Sequence, residues 1–272
     1  MHVPGFAPTL DLHLAAGGVL VEQSSWRGRR LATRHLPCGP AAPGSMPWQG
    51  ALDALRAAFA GAPAAAPVAT TGARVRVLLS DAFVHYCLIP RQARMVGGDE
   101  QAAYARHAFR AEYGSAVDQW QVALGTDARG TAVASLIDAR LLAELQTVCR
   151  AARCKLVSVR PHFAATQAAL ARKLRGASLW LVVLEGGRIS AGLYAERTWL
   201  HLLSARAAAA AGENGADFIA RTLAAHSLGI AGAQATRMLH LAAAPEVLSR
   251  LRFGADWSVQ LHADRFGLGA AV

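Results

Sequence analysis

Few residues in this chain combine the type and the spacing that chemistry needs. His85, Cys87 and His107 could be imagined as metal ligands, but they share no recognised spacing, and ordinary strand and helix positions account for them. Asp99-Glu100 are paired acids at the start of a predicted helix, where capping and the helix macrodipole explain them without catalysis. The four cysteines, Cys38, Cys87, Cys149 and Cys154, contain no C-x-x-C pair. Cys149 and Cys154 lie five apart, on and just beyond a predicted helix, with no histidine at metal spacing. They read as free, mostly buried thiols of a reducing compartment. His-x-x-x-His is absent, as are a Gly-x-x-x-x-Gly-Lys-Ser/Thr loop and a Gly-x-Ser-x-Gly elbow. What stands out instead is two Gly-Gly pairs, Gly17-Gly18 and Gly186-Gly187, each set between apolar runs. Glycine tolerates positive φ, so such pairs signal tight hairpins.

The elements around the two pairs repeat. Laying Gly186-Gly187 over Gly17-Gly18 puts Leu179, Leu181 and Val183 over Leu10, Leu12 and Leu14, and Leu200 over Leu31. Each copy reads as strand, Gly-Gly turn, strand, polar turn, strand, which points to two related halves. After the first copy, Trp48–Ala60 carries Leu52, Leu55 and Phe59 at helical spacing, and Ala60–Ala73 has the composition of a surface connection. Val75–Leu79 is a strand ending at Ser80-Asp81, and Phe83–Ile89 continues extended to Pro90. Asp99–Tyr113 is a helix with Asp99 as its N-cap and Gly114 as its stop. Gln119–Leu124 and Thr131–Ile137 are paired strands about a turn at Thr126–Gly130, and Asp138 caps a helix over Ala139–Ala152. Lys155–Val159 is a strand, Pro161 starts a helix to about Leu174, and Gly176 closes the half. In the second half Ala205–Ala211 leads to a helix over Gly215–Leu228, followed by strand Met238–Ala242, helix Pro245–Leu251 and strand Trp257–His262. Both halves are therefore β-β-β-α-β-α-β, an α/β class with an antiparallel hairpin at one edge of each sheet.

The chain of 272 residues is 53% hydrophobic, enough for a sizeable core. No apolar run reaches the ~18 residues of a membrane helix. The start, MHVPGFAPTLDL, lacks a basic region followed by an apolar stretch, so no signal peptide is expected and the protein reads as cytoplasmic. The net charge of +10 is carried almost wholly by arginine spread along the chain. No nucleic-acid motif with interleaved aromatics accompanies it, so an acidic partner or the anionic leaflet fits better than nucleic acid.

A duplicated β-β-β-α-β-α-β unit resembles the actin-like (ribonuclease H-like) fold of actin, sugar kinases, heat-shock ATPases and bacterial cell-division actin homologues. The stretch LLSDAFVHYCLIP, the helix AYARHAFRAEYG, then DQWQVAL and ASLIDARLLAELQTVCRAARCKLVSVRPHFAATQ, roughly Val77–Gln167, is similar to the pilus-assembly PilM and secretion GspL cytoplasmic-domain group. The resemblance implies a first actin-like half over 1–175, with extra strands and a helix inserted at about 81–125, and a second half over 176–272. It also implies a cytoplasmic scaffold peripheral to the inner membrane. Such a scaffold would hold the short cytoplasmic segment of a bitopic inner-membrane protein, with a hexameric secretion ATPase as a further partner.

In that fold each hairpin turn offers backbone N–H groups to phosphate, and an aspartate two residues before a glycine serves the metal and the reacting centre. Here the turns read Ala15-Ala16-Gly17-Gly18 and Leu184-Glu185-Gly186-Gly187. Neither has the aspartate, and Glu185, read against Gly186, stands one residue displaced, which on a strand turns it to the opposite face. The Gly-Gly that admits adenosine aligns with Ala242-Ala243-Ala244-Pro245, where Cβ atoms crowd a base and Pro245 removes a donor. Asp11, mid-strand between Leu10 and Leu12, reads as a solvent-facing or hairpin-edge carboxylate. The nucleotide-loop positions Ala15, Gly17, Gly18, Glu185, Gly186, Gly187 and Ala243 thus read as degenerate. No catalytic residue, metal or cofactor is expected. A divergent actin-like ATPase or kinase that retains nucleotide is the alternative.

Overall fold

The computed structural model describes residues 7–39, 44–61, 70–89, 97–127, 129, 131–173, 178–206, 215–230, 236 and 238–264. Their contacts group the chain into two compact units, Met1–Phe83 with Asp138–His162, and Val84–Ile137 with Phe163–Ala270.

The first unit is built on β1 (Thr9–Ala15), β2 (Gly18–Ser24), β3 (Arg30–Pro37), α1 (Gln49–Phe59), β4 (Arg74–Leu79), α3 (Ala139–Ala151) and β8 (Lys155–Pro161). Its five-stranded sheet has the order β3-β2-β1-β4-β8. The β1–β2 and β2–β3 pairs are antiparallel, and β1–β4 and β4–β8 are parallel. Leu10, Leu12 and Leu14 on β1 and Val75, Val77 and Leu79 on β4 are almost wholly buried. Each such side chain contributes roughly 1.5–3 kcal/mol by leaving water. α1 turns Leu52, Leu55 and Ala58 into this core and meets α3, where Arg56 reaches Glu144. α3 starts as the sequence predicts: the Asp138 carboxylate accepts the Arg140 N–H at 2.9 Å.

The second unit repeats the pattern with β9 (Leu179–Glu185), β10 (Arg188–Ala195), β11 (Thr198–Arg206), α5 (Gly215–Ser227), β12 (Met238–Ala243), α6 (Pro245–Leu248) and β13 (Ser258–Ala263). The sheet order is β11-β10-β9-β12-β13, the same as in the first unit. β9 is buried on both faces, which is why it reads as a continuous apolar run rather than an alternation. Trp180 and Val182 pack with Ile219 and Leu223 of α5. Leu179, Leu181 and Val183 pack with Phe163 and Leu170 of α4 (His162–Leu170). Gly192 on β10 leaves room for the Trp199 ring, since a Cβ there would stand 2.5 Å from its Cζ3.

The insert forms a three-stranded sheet, β5-β7-β6, from β5 (His85–Ile89), β6 (Trp120–Thr126) and β7 (Ala132–Asp138), covered by α2 (Gly98–Tyr113). It groups with the second half. β5 contacts β11, and Asp127 accepts from Thr198 Oγ1 at 2.7 Å and from the Trp199 N–H at 3.0 Å.

Several boundaries differ from the sequence reading. The N-cap of α2 is Gly97, leaving Asp99 and Glu100 inside its first turn. Pro161 ends β8 instead of starting a helix, because it pairs with Leu79 across the parallel ladder. Ala205 extends β11, and α6 stops at Leu248. Much of the Ala60–Ala73 connection and of the Ala-rich stretch, with Pro90, Leu174 and Gly176, lies outside the described residues.

Candidate functional site

The two hairpin turns are not built alike. β1 and β2 close at Ala15 opposite Gly18, so the turn residues are Ala16 and Gly17. Gly18 is required for space: a Cβ there would meet the Leu36 carbonyl oxygen at 2.6 Å and His35 Nε2 at 3.0 Å. The turn carbonyls are engaged by Cys38, whose N–H donates to Gly17 O at 3.2 Å and whose thiol donates to Ala16 O at 3.2 Å. β9 and β10 close at Glu185 opposite Arg188, with Gly186 (φ +52°) and Gly187 (φ +69°) between them. Positive φ at both central residues is the type I′ turn that glycine serves best.

The closing pairs therefore match Ala15 to Glu185, one residue away from the match that laying glycine on glycine predicts. Glu185 is not displaced. It is the last residue of β9, as Ala15 is of β1, and both are buried. The missed signal is Glu185-Gly186-Gly187 itself, an acid two residues before the second glycine rather than the first. Ala15 remains a methyl group at its turn.

Asp11 is not at a hairpin edge, although its side chain is partly open to solvent. It lies on the central strand β1 opposite Arg76 of β4 and makes a two-point pair, Nε to Oδ1 at 2.5 Å and Nη2 to Oδ2 at 2.7 Å. That hydrogen bond leads the causes that raise the Arg76 pKa, against burial. At the end of β12, Ala242, Ala243 and Ala244 are all buried, and Pro245 opens α6 without an N–H. The sequence reading passed over His13 and His162, two buried imidazoles in an edge-to-face contact with centroids 5.3 Å apart. Their separation in sequence gave no signal.

The metal candidate dissolves. His85 stacks on Trp120, with centroids 4.4 Å apart and planes 4° apart, and Phe109 and Tyr113 complete the cluster. Burial, with Arg188 adding to it and Glu112 opposing, lowers its pKa. His107 is exposed on α2, and burial raises the Cys87 thiol. The cysteines are free, but only Cys149 is fully buried; the other three are half-buried.

These two sheets of common order, each led by an antiparallel hairpin, define an actin-like fold. Solved structures share it. The cytoplasmic domain of EpsL, an inner-membrane component of the type II secretion system of Vibrio cholerae, aligns over 96% of this chain and 90% of its own, with TM-score 0.55 and 12% identity. A Bacteroides thetaiotaomicron protein of actin-like ATPase fold and unknown function aligns over 94% and 90%, with TM-score 0.55 and 10% identity. The PilM–PilN type IV pilus biogenesis complex aligns over 84% and 68%, with TM-score 0.49 and 15% identity. No family model matches the chain, and no curated protein matches its sequence. Among the described residues no helix is long and apolar enough to cross a membrane.

Proposed function

We propose that this protein is a non-catalytic scaffold of a secretion or pilus envelope machine, peripheral to the inner membrane on its cytoplasmic side. It docks the short cytoplasmic segment of a bitopic inner-membrane protein, with a hexameric secretion ATPase as a further partner. The observation that carries this reading is the Ala15 methyl group at the first turn, with Asp11, the nearby acid on β1, held by Arg76. Hydrocarbon at that turn offers nothing to magnesium, which takes oxygen ligands. In this reading the related halves run over 1–175 and 176–272, and the extra strands and helix inserted at about 81–125 of the first are completed by β7 and group with the second.

The docking surface follows from β3. It is an edge strand on which Arg30, Leu31, Thr33, His35 and Pro37 are exposed while Ala32, Arg34 and Leu36 are partly buried, and it is led in by Trp26, Arg27 and Arg29. Trp26 is 51% exposed under the Arg27 guanidinium, and Leu31 is 56% exposed. An extended acidic segment can add a strand there by main-chain hydrogen bonds while Arg27 and Arg29 meet its charge, Arg30 being paired with Glu22 at 3.0 Å. Each basic residue near an anionic leaflet adds about 1 kcal/mol.

Differential scanning with millimolar Mg-ATP tests the reading. No shift in melting is expected, whereas stabilisation by several degrees would overturn it. A second reading, a divergent ATPase or kinase, is favoured by Glu185, a buried carboxylate at the second turn. It predicts phosphate release that vanishes in Glu185→Gln.

A further inference from the structure

α3 ends in a specific closure. The Arg153 N–H donates to Arg150 O at 3.1 Å, the Cys154 N–H donates to Cys149 O at 2.9 Å, and Arg153 takes a left-handed φ of +54°. This pair of crossed bonds is the Schellman motif, which brings the side chains at the Cys149 and Cys154 positions against each other. An apolar contact commonly fills that place; here the two positions are cysteines. The Cys154 thiol donates to Cys149 O at 3.3 Å, which holds it over the end of α3 beside Cys149. The backbone beyond the helix is pinned, since Gly72 N–H donates to Arg153 O and Lys155 N–H to Ala73 O, both at 2.8 Å. The two cysteines are therefore held side by side without unwinding the helix.

We propose that Cys149 and Cys154 are a redox-active dithiol that is oxidised to an intramolecular disulfide by an anionic low-molecular-weight disulfide.

The roles differ by environment. Cys154 is half-buried and open to attack a small molecule, while Cys149 is buried. Interaction with the Cys149 side chain lowers the Cys154 pKa; burial opposes it, and the backbone N–H of Cys154 supports it. The same interaction, together with burial, drives Cys149 up. Cys154 is thus the nucleophile and Cys149 the resolving thiol. Arg150, Arg153 and Lys155 flank the pair, are exposed, and are in no ion pair among the described residues. That charge selects an anionic disulfide, of which oxidised glutathione is the probe.

In the first step the Cys154 thiolate attacks one sulfur of the probe, forms a mixed disulfide and expels one thiolate, which takes a proton from water. In the second, Cys149 gives its proton to solvent and attacks Cys154 Sγ, expelling the second thiolate. Two protein thiols are oxidised to one disulfide, and one small disulfide is reduced to two small thiols.

The test treats the full reduced chain with oxidised glutathione near neutral pH and follows intact mass and peptide maps. The wild type is expected to lose two hydrogens and yield a peptide linked between Cys149 and Cys154. Cys149→Ser is expected to stop at one glutathione on Cys154, formed about tenfold faster than on Cys87. Arg153→Gly preserves the left-handed turn and removes one cation. Its rate should fall severalfold with oxidised glutathione but hold with the uncharged 2-hydroxyethyl disulfide. Absence of the linked peptide overturns the proposal, as does a glutathione adduct spread evenly over Cys38, Cys87 and Cys154 in Cys149→Ser. Equal slowing of Arg153→Gly with both disulfides removes the anionic preference.

Discussion

Asp127 is held by a set of donors that no local motif announces. Its carboxylate accepts from the N–H groups of Arg129 and Thr131 at 2.8 and 3.0 Å, besides Thr198 Oγ1 and the Trp199 N–H. Burial opposes its ionisation, but the hydrogen bonds from Thr198 and the three backbone donors outweigh burial and lower its pKa. The stabilisation is present above the unfolded value of about 3.9 and is lost as pH falls through the lower folded value. Asp127→Ala should cost about 1–3 kcal/mol in chemical denaturation at neutral pH, with the gap to wild type closing in acid. His240 and His262 behave in the opposite range. They stack with Nε2 of His262 3.0 Å from Nδ1 of His240, and burial leads the causes that lower both, with Lys173 acting on each and His240 on His262. Unfolded imidazoles take protons below about 6.5 while the folded pair resists. Stability is therefore full above that value and falls as pH drops toward the folded values. The melting temperature should decline from about pH 7.5 to about pH 5, and less steeply in His240→Gln/His262→Gln.

At the scale of elements, glycine has two uses that spell identically. Gly186 and Gly187 are needed for positive φ, whereas Gly18 is needed because Leu36 O stands where its Cβ would go. Laying one pair over the other aligns a turn with a strand start, and the register slips by one residue. Element order was legible because Gly, Pro and Asp138 punctuate it and because α1 and α3 keep their helical stripes. The association of the insert with the second half was not. It rests on Asp127 reaching Thr198 and on β5 meeting β11, contacts between segments far apart in sequence. Gly192 is the space-making case at its sharpest, with Trp199 Cζ3 and Cε3 at 2.5 and 2.8 Å from where a methyl group would stand. Gly192→Ala should destabilise by about 1–3 kcal/mol, read from the denaturation midpoint. Gly187→Ala should cost nearer 1 kcal/mol, since nothing crowds it and only φ is strained.

For the whole molecule, the chain order and the contact order disagree. The first unit is stitched from Met1–Phe83 and Asp138–His162, so β8 and α3 arrive only after the insert has been made. A fragment of residues 1–83 leaves β4 with one neighbour and α1 without α3. It should show no cooperative melting by circular dichroism, and a sharp transition would contradict this.

The arginines before and on β3 have a consequence beyond greeting a guest. A bare edge strand invites its own kind, and two copies laid side by side in parallel would set Arg27 and Arg29 near their duplicates, Arg30 being paired with Glu22. Like charges there make self-recognition costly while leaving the edge open to a segment of opposite sign. Concentrated salt should blunt that discrimination, so light scattering ought to find single molecules in dilute buffer and growing clusters as ionic strength climbs.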